Sequence, residues 1–467
     1  MDVPGILIVQ VENWWSTPRM PEAIKAAGFN VAALCPPQIH LARARHLDRL
    51  FTYNPAPLRD ELRARLRPLA RMIPRLADRV RTTLNHRAHG LLEPLVSPRH
   101  LLDAIIGAVR QWRPHYLMCG DETVLPILMS ALAMDRAGRA AALPADVLEV
   151  VRRSLGDEQG FTALMRKSAL LARCGAAGLP VAAQRIVARA EDVDEFAAEH
   201  GYPVVIKRDF ESGGAGVAFS SSPAETRRIL GSGNFARVHR TSAHNRALWT
   251  AELSPFGPPI IAVQEHLPGN PSFCCIAAHR GKVLASFEAD KIALTHPRGP
   301  SAILRFEPRP ELAAIASRMA ELTGFTGIGE LELMCAHPGK EPKIIEFNPR
   351  SVPSAHLGGG VGADLVKGLM SAFGGPPYES RQSPKPWTVA LFPQEMIRDP
   401  ASAMLREAYH DVPWDDEGLI ESLSRGRINP RDLLAAGISQ PRPQRATTEA
   451  GRAARSGGAA PSRRSAD

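Results

Sequence analysis

Nowhere does the chain carry the ~20 consecutive apolar residues that a membrane span needs. Its longest candidate, residues 123–134, is short and contains Pro126. No basic n-region followed by an apolar stretch and a cleavage site opens the sequence, so residence in the cytoplasm is expected. The six cysteines, Cys35, Cys119, Cys174, Cys274, Cys275 and Cys335, form no C-x-x-C pair and no zinc spacing and read as reduced core residues. There is no Walker loop and no internal repeat. Lysine is scarce: only nine of the 57 basic residues are Lys. Where such a chain keeps a lysine inside a strand, a compact point charge is wanted.

What is present is ordinary in bulk, with 44% hydrophobic and 22% charged residues over 467 positions, enough for two or three domains with sizeable cores. The net charge of +9 would suit an acidic ligand. Part of it is local, in an Arg-rich insert at 41–96 and in the tail, so nucleic acid is not the expected partner.

The most informative stretch is 324–365. Residues 329–336 alternate Glu330 and Glu332 with Leu331 and Leu333, and residues 343–350 alternate Glu346, Asn348 and Arg350 with Ile345 and Phe347. A period of two predicts strands. His337, Pro338, Gly339 and Lys340 supply a turn, giving an antiparallel hairpin whose acids share one face. Such a face is ordinarily the solvated side of a sheet. Yet two carboxylates and an amide oxygen are hard ligands suited to magnesium on nucleotide phosphates, and an Arg beside them can hold a transferring phosphoryl group.

Taken in order, apolar runs at 5–11 and 29–35 flank a helix opened by Thr17-Pro18, and a helix from Ser97-Pro98 precedes a strand at 115–119. This predicts a doubly wound α/β domain ending near residue 150. Residues 161–174 read as one helix with Lys167 near its start. A buried strand then delivers Lys207 into a loop holding Ser212, Gly213, Gly214 and Gly216, whose backbone N–H groups can approach an anion closely. A flexible hairpin loop would look the same. Ser222-Pro223-Ala224-Glu225 forms a capping box. Strands follow at 260–266, 272–278 and 283–288, a helix at 310–322, a strand at 387–392 and broken helix from 399 to 423. From about residue 440 too little can be buried to support a fold.

The succession of a helix with Lys167, a strand with Lys207, a Gly-rich loop, Gln264-Glu265-His266-Leu267, E-L-E-L and E-F-N-P-R resembles the ATP-grasp superfamily. Biotin carboxylase, carbamoyl-phosphate synthetase and D-alanine:D-alanine ligase are among its members. The likeness covers roughly residues 1–375. It implies an α/β chain in which an N-terminal doubly wound, Rossmann-like pre-ATP-grasp domain (1–150) precedes a two-subdomain ATP-grasp fold (155–375, lid about 181–259). A small C-terminal extension (385–437) and a disordered tail (440–467) would follow.

The same resemblance implies that Lys167, Lys207 and the Gly-rich loop hold the phosphates of ATP. The adenine would lie on 264–267, bonded to the Glu265 carbonyl and the Leu267 N–H. Glu332, Glu346 and Asn348 would ligate magnesium or manganese, and Arg350, with Lys291 and Arg298, would face the reacting groups. Gln264 stands where the family commonly has Glu, and Pro271 where some members have a ribose-binding acid. The glycine-rich 354–362 could present N–H groups to an acceptor carboxylate or be a plain loop. The implied reaction activates a small-molecule carboxylate as an acyl phosphate that an amine displaces. Bicarbonate activation is an alternative, although no biotinylated carrier domain is visible. A non-catalytic ATP-binding regulator and a nucleic-acid binder using the insert are others.

Overall fold

The computed structural model describes residues 3–54, 98–138, 143–209, 216–232, 235, 260–297, 299–335 and 341–424. Most of the Arg-rich insert, Ser212, Gly213 and Gly214 of the glycine loop, Arg298, the turn at 337–340 and the tail lie outside the described residues.

Short, mostly apolar runs form a parallel sheet covered on both faces except at its exposed edge strand, residues 49–52. Its strands are β1 (Gly5–Val9), β2 (Asn30–Cys35), β3 (Arg49–Thr52) and β4 (Tyr116–Cys119), in the order β3-β2-β1-β4. Alternation sends Leu7 and Val9 into one core with the helices Pro98–Trp112, Val124–Arg136 and Ala145–Leu155. Ile6 and Ile8 enter a second core shared with the helix Met20–Ala26 and the largest sheet. The sequence placed residues 49–52 in the Arg-rich insert. They pair with β2 instead, held by Asp48, which accepts from the Val31 N–H at 2.8 Å and pairs with Lys25 Nζ at 2.9 Å.

An antiparallel sheet of β5 (Gln184–Val187), β6 (Val204–Arg208), β7 (Val217–Ser220) and β8 (Ile261–Glu265) runs in the order β5-β8-β6-β7. The helices Ala190–His200 and Pro223–Gly231 flank it. The capping signal holds: Ser222 Oγ accepts from the Glu225 N–H at 3.3 Å, and Glu225 accepts from the Ser221 N–H at 3.0 Å.

Seven strands make the largest sheet: β9 (Ser272–His279), β10 (Lys282–Leu294), β11 (Ser301–Phe306), β12 (Gly327–Met334), β13 (Lys343–Asn348), β14 (Trp387–Leu391) and β15 (Tyr409–Asp411). The order is β13-β12-β9-β10-β11-β14-β15. Three features differ from expectation. β10 runs on past Glu288 to Leu294, because β11 offers a partner as far as Ser301, and this puts Lys291 in a strand. Residues 161–174 break at Arg166, whose extended backbone (φ −114°, ψ 110°) separates the helix Phe161–Met165 from Lys167–Ala176. Finally, β14 and β15 extend the sheet itself through β11.

Asp411, at the end of β15, ties this last segment down. Its carboxylate takes Arg19 at 2.8 Å and His356 Nε2 at 2.9 Å, and the group is 3% exposed. Burial opposes its ionisation, but Arg19 and His356 hold its pKa below the usual carboxylate range. Removing one partner strands a buried charge. Arg19→Met should therefore cost about 3–5 kcal/mol in denaturant unfolding, and an effect too small to resolve would show that this contact does not fasten the segment.

Candidate functional site

The small sheet and the edge of the large sheet face each other across a cleft of about 950 Å³. Strand alternation decides what each wall presents. On β6, Val204 and Ile206 enter cores, whereas Val205 and Lys207 line the cleft. On β12, Leu331 and Leu333 are core, and Glu330, Glu332 and Met334 line the cleft; on β13, Ile344 and Phe347 are core, and Glu346 and Asn348 line it. The hairpin register sets Glu332 directly opposite Glu346 and Glu330 opposite Asn348.

Packing acids on one face requires cations, and three lysines from different elements supply them. Lys167 Nζ, at the first turn of its helix, lies 2.8 Å from Glu346. Lys291 Nζ, from β10, lies 2.7 Å from Glu332 and 3.5 Å from Glu330. Lys207 Nζ donates to the Ile345 carbonyl at 3.2 Å. The register slips by one residue at Ile345, between the pairs Glu332–Glu346 and Leu333–Ile344. Such a bulge re-aims the local backbone, here a carbonyl meeting the lysine of the opposite wall.

The charges respond to these neighbours. Burial alone would raise Glu346, but Lys167 and Lys207 pull its pKa down to about 2. Burial lowers Lys207 to about 8 despite Glu346. Burial pushes Glu330 up to about 7, with Lys291 opposing and Glu332 adding to the rise. Lys291 loses to burial but gains more from Glu332 and Glu330, and its pKa is raised.

Of the residues expected from sequence, Lys167, Lys207, Gly216, Gln264, Glu265, His266, Leu267, Lys291, Glu332, Glu346, Asn348 and Arg350 all line this one cleft. The Glu265 carboxylate is engaged structurally, accepting from the Ala183 N–H at 2.8 Å and from Lys343 Nζ at 2.7 Å. Arg350 turns toward the first sheet: its guanidinium pairs with Glu122 and lies 5.9 Å from the Trp14 ring. Sequence reasoning gave Glu122, Trp14 and Glu12 no role. The signal existed, since they follow β4 and β1 at the carboxyl ends of a parallel sheet where strand order reverses, a common ligand crevice.

Among the described residues no group of three or more His, Cys, Asp or Glu could hold a metal alone. Glu332, Glu346 and Asn348 offer two carboxylates and one amide, so a cation here would draw its remaining oxygens from phosphate or water. Asn348 Nδ2 donates at 3.4 Å to Glu332 and 3.5 Å to Glu346. A half-turn of the amide would put its oxygen in that place, and the donor set fits magnesium.

Residues 167–247 match the family model described as the carbamoyl-phosphate synthase L chain, ATP binding domain. The carbamoyl phosphate synthase large chain, N-terminal section, of Methanopyrus kandleri is 26% identical over 294 residues, 61% of this chain. The chain spans 45% of that relative's length. Two solved structures are similar in fold. The biotin carboxylase domain of the Hydrogenobacter thermophilus 2-oxoglutarate carboxylase, in complex with MgADP, ADP and bicarbonate, is 15% identical with a TM-score of 0.53, covering 82% of this chain and 72% of that one. N5-carboxyaminoimidazole synthetase from Staphylococcus aureus, complexed with ADP, is 12% identical with a TM-score of 0.50, covering 82% and 81%. The chain therefore has the ATP-grasp fold. Within that fold, the segment 167–247 is similar to the ATP-binding domain that this family model describes.

The Lys167–Glu346 pair generates a prediction. A carboxyl held down at about 2 contributes stability that is full above its unfolded pKa, about 4.5, and is lost as pH falls through about 2. Unfolding curves from pH 7 to pH 2 should show a shallower acid loss for Glu346→Gln than for the parent. In a double-mutant cycle Lys167→Met and Glu346→Gln should couple by about 1–3 kcal/mol; additive effects would mean that the pair does not act as one.

Proposed function

We propose that the protein is a cytoplasmic, magnesium- and ATP-dependent carboxylate–amine ligase working through an acyl phosphate. The observation that carries this reading is that Lys167, Lys207 and Lys291 face Glu332, Glu346 and Asn348 within one cleft, with Arg350 beside them. Among the described residues no helix is long and apolar enough to cross a membrane.

In the proposed reaction a substrate carboxylate oxygen attacks the γ-phosphorus of ATP. The bond to ADP breaks, and an acyl phosphate and ADP result. An amine nitrogen then attacks the acyl carbon, the C–N bond forms, phosphate leaves and the amine proton passes to solvent. Little acid–base work is needed, and stabilising charge is the main task. Lys167 and Lys207 would neutralise phosphate oxygens, and each would give up a protein partner to do so. Magnesium on Glu332, Glu346 and Asn348 would supply charge neutralisation of the phosphates. Arg350 would turn from Glu122 to the transferring group. The segment 264–267 at the end of β8 would hold the base, Gly216 would lie with the phosphates, and Lys291 would sit on the substrate side.

Bicarbonate in place of the organic acid is the second reading, favoured by the bicarbonate bound in the similar biotin carboxylase structure. ADP release measured with pooled carboxylates and amines, and separately with bicarbonate alone, distinguishes the two. The ligase reading expects release that needs both an organic acid and an amine, and that falls roughly 10²-fold or more in Glu346→Ala. ATP binding without turnover in every pool would identify a non-catalytic binder instead.

Lys207 adds a pH signature. Below about pH 8 it is charged and ready for phosphate. Above that, binding must take up a proton, so ATP affinity should fall by up to about tenfold per pH unit until the bound-state pKa is reached. Calorimetry in buffers of different ionisation enthalpy should detect that proton, and Lys207→Arg should abolish it. An identical pH slope in parent and Lys207→Arg would assign the effect elsewhere.

A further inference from the structure

Behind the wall of the cleft, where the small sheet meets the helix Lys167–Ala176, lies a buried acid that the proposed reaction leaves unused. Asp209 directly follows β6 and is 5% exposed. Its N–H donates to the Ile260 carbonyl at 3.0 Å, so the chain leaves β6 still tied to the residue that enters β8.

Across the joint it meets Arg166, whose Nη1 lies 3.6 Å from Asp209 Oδ2. Arg166 is the extended residue at which the helix Phe161–Met165 ends and Lys167–Ala176 begins. The Ser168 side chain also hydrogen-bonds to the Asp209 carboxylate. One carboxylate thus engages the residues on both sides of Lys167. Lys167, Ser168, Lys207 and Asp209 border a residual gap of about 10 Å³, near the lower limit for one water molecule. A ligand group does not fit there, so Asp209 can act on a substrate through its neighbours alone.

Charge gives the contact its purpose. Burial raises the pKa of Asp209 to about 6, and Arg166, Lys167, the Ile260 N–H and Ser168 oppose that rise. At neutral pH the group is the carboxylate, the form that draws these donors. The two lysines, by contrast, repel: burial lowers the pKa of Lys207, and the charge of Lys167 adds to that. What keeps their elements together must therefore lie outside the pair. Gln184 of β5 supplies one tie, donating through Nε2 to the Ser168 carbonyl at 2.7 Å, and Asp209 supplies the other. Lys167 also has to exchange Glu346, now at 2.8 Å, for a phosphate, and a charge that changes partner stays aimed when its backbone is fixed by neighbouring contacts.

We infer that Asp209 is a positioning residue for the two phosphate lysines: through Arg166 and Ser168 it locks the helical turn that carries Lys167 against the strand that carries Lys207. The consequence for nucleotide binding rests on the proposed role of those lysines, whereas the locking itself does not.

The test is calorimetry on the full chain with Mg·ATP and with adenosine. Asp209→Asn keeps the shape of the side chain and removes its charge. It should weaken Mg·ATP binding roughly tenfold and leave that of adenosine, which has no phosphate, within about twofold. In a Lys167→Met background the same substitution should change Mg·ATP affinity by less than about twofold, because nothing is left for Asp209 to act through. Equal losses in both backgrounds, or no loss in the parent, overturn the inference. Should Asp209→Asn weaken adenosine as well, the small sheet is disturbed and Ser168→Ala decides: a loss of about threefold for Mg·ATP that disappears in Lys167→Met supports the role, and unchanged binding overturns it. Failure of the functional reading shows differently, as Mg·ATP binding that Lys167→Met leaves intact. A ligand-free measurement then decides the locking: the coupling between Lys167→Met and Glu346→Gln in unfolding should fall by at least half in Asp209→Asn, and undiminished coupling overturns it.

Discussion

Three carboxylates on one face of a hairpin, largely withdrawn from water, are the constraint around which the cleft is arranged. Glu330, Glu332 and Glu346 would repel one another at such spacing, and desolvation alone would drive Glu330 and Glu346 toward their neutral forms. Lysines arriving from a helix and from β10 offset this, and Lys207 crosses from the opposite sheet to a backbone carbonyl. Ion pairs buried to this degree are weak evidence for stability, because desolvation consumes much of the attraction. Their persistence at one end of a cavity is better explained by a ligand that brings its own charges and exchanges partners with them.

That exchange gives the two depressed pKa values a shared meaning. Glu346 is held anionic by two ammonium groups, while Lys207 is held near the edge of neutrality by its burial. A polyphosphate entering with a divalent cation would relieve both, since the cation would replace the lysines on the acids and the phosphates would take up the lysines. The arrangement is thus poised for a ligand of alternating charge, which an anion or a cation alone would not satisfy.

The local parts of this site were legible in the sequence and the long-range parts were not. Period two in 329–334 and 343–348 revealed the hairpin, its facing acids and the core side of β12, and Lys207 stood out as a lysine inside an apolar strand; on β13 the bulge buries Ile344 and turns Ile345, expected opposite the acids, toward the cleft. The break at Arg166 was not visible, because 161–174 keeps a helical pattern through it and the kink appears only where Arg166 faces Asp209 at 3.6 Å. The reach of β10 to Lys291 depends on pairing with β11, and the joining of β14 to β11 depends on residues more than 80 positions apart. Pattern within a window cannot report either.

The same distinction separates what the cleft does from what it acts on. Its charged end is built from short motifs whose spacing is fixed by strand geometry, so it can be recognised in sequences only distantly alike. Its other end is closed by contacts such as His40 with Ser422, 382 residues apart, and by a last segment that the large sheet recruits through β14. Changes in that segment alter the shape of that end without touching Glu332, Glu346 or Lys207. Under the proposed function, a scaffold divided in this way can keep one phosphate chemistry while the acid it accepts is set by residues that no local motif announces.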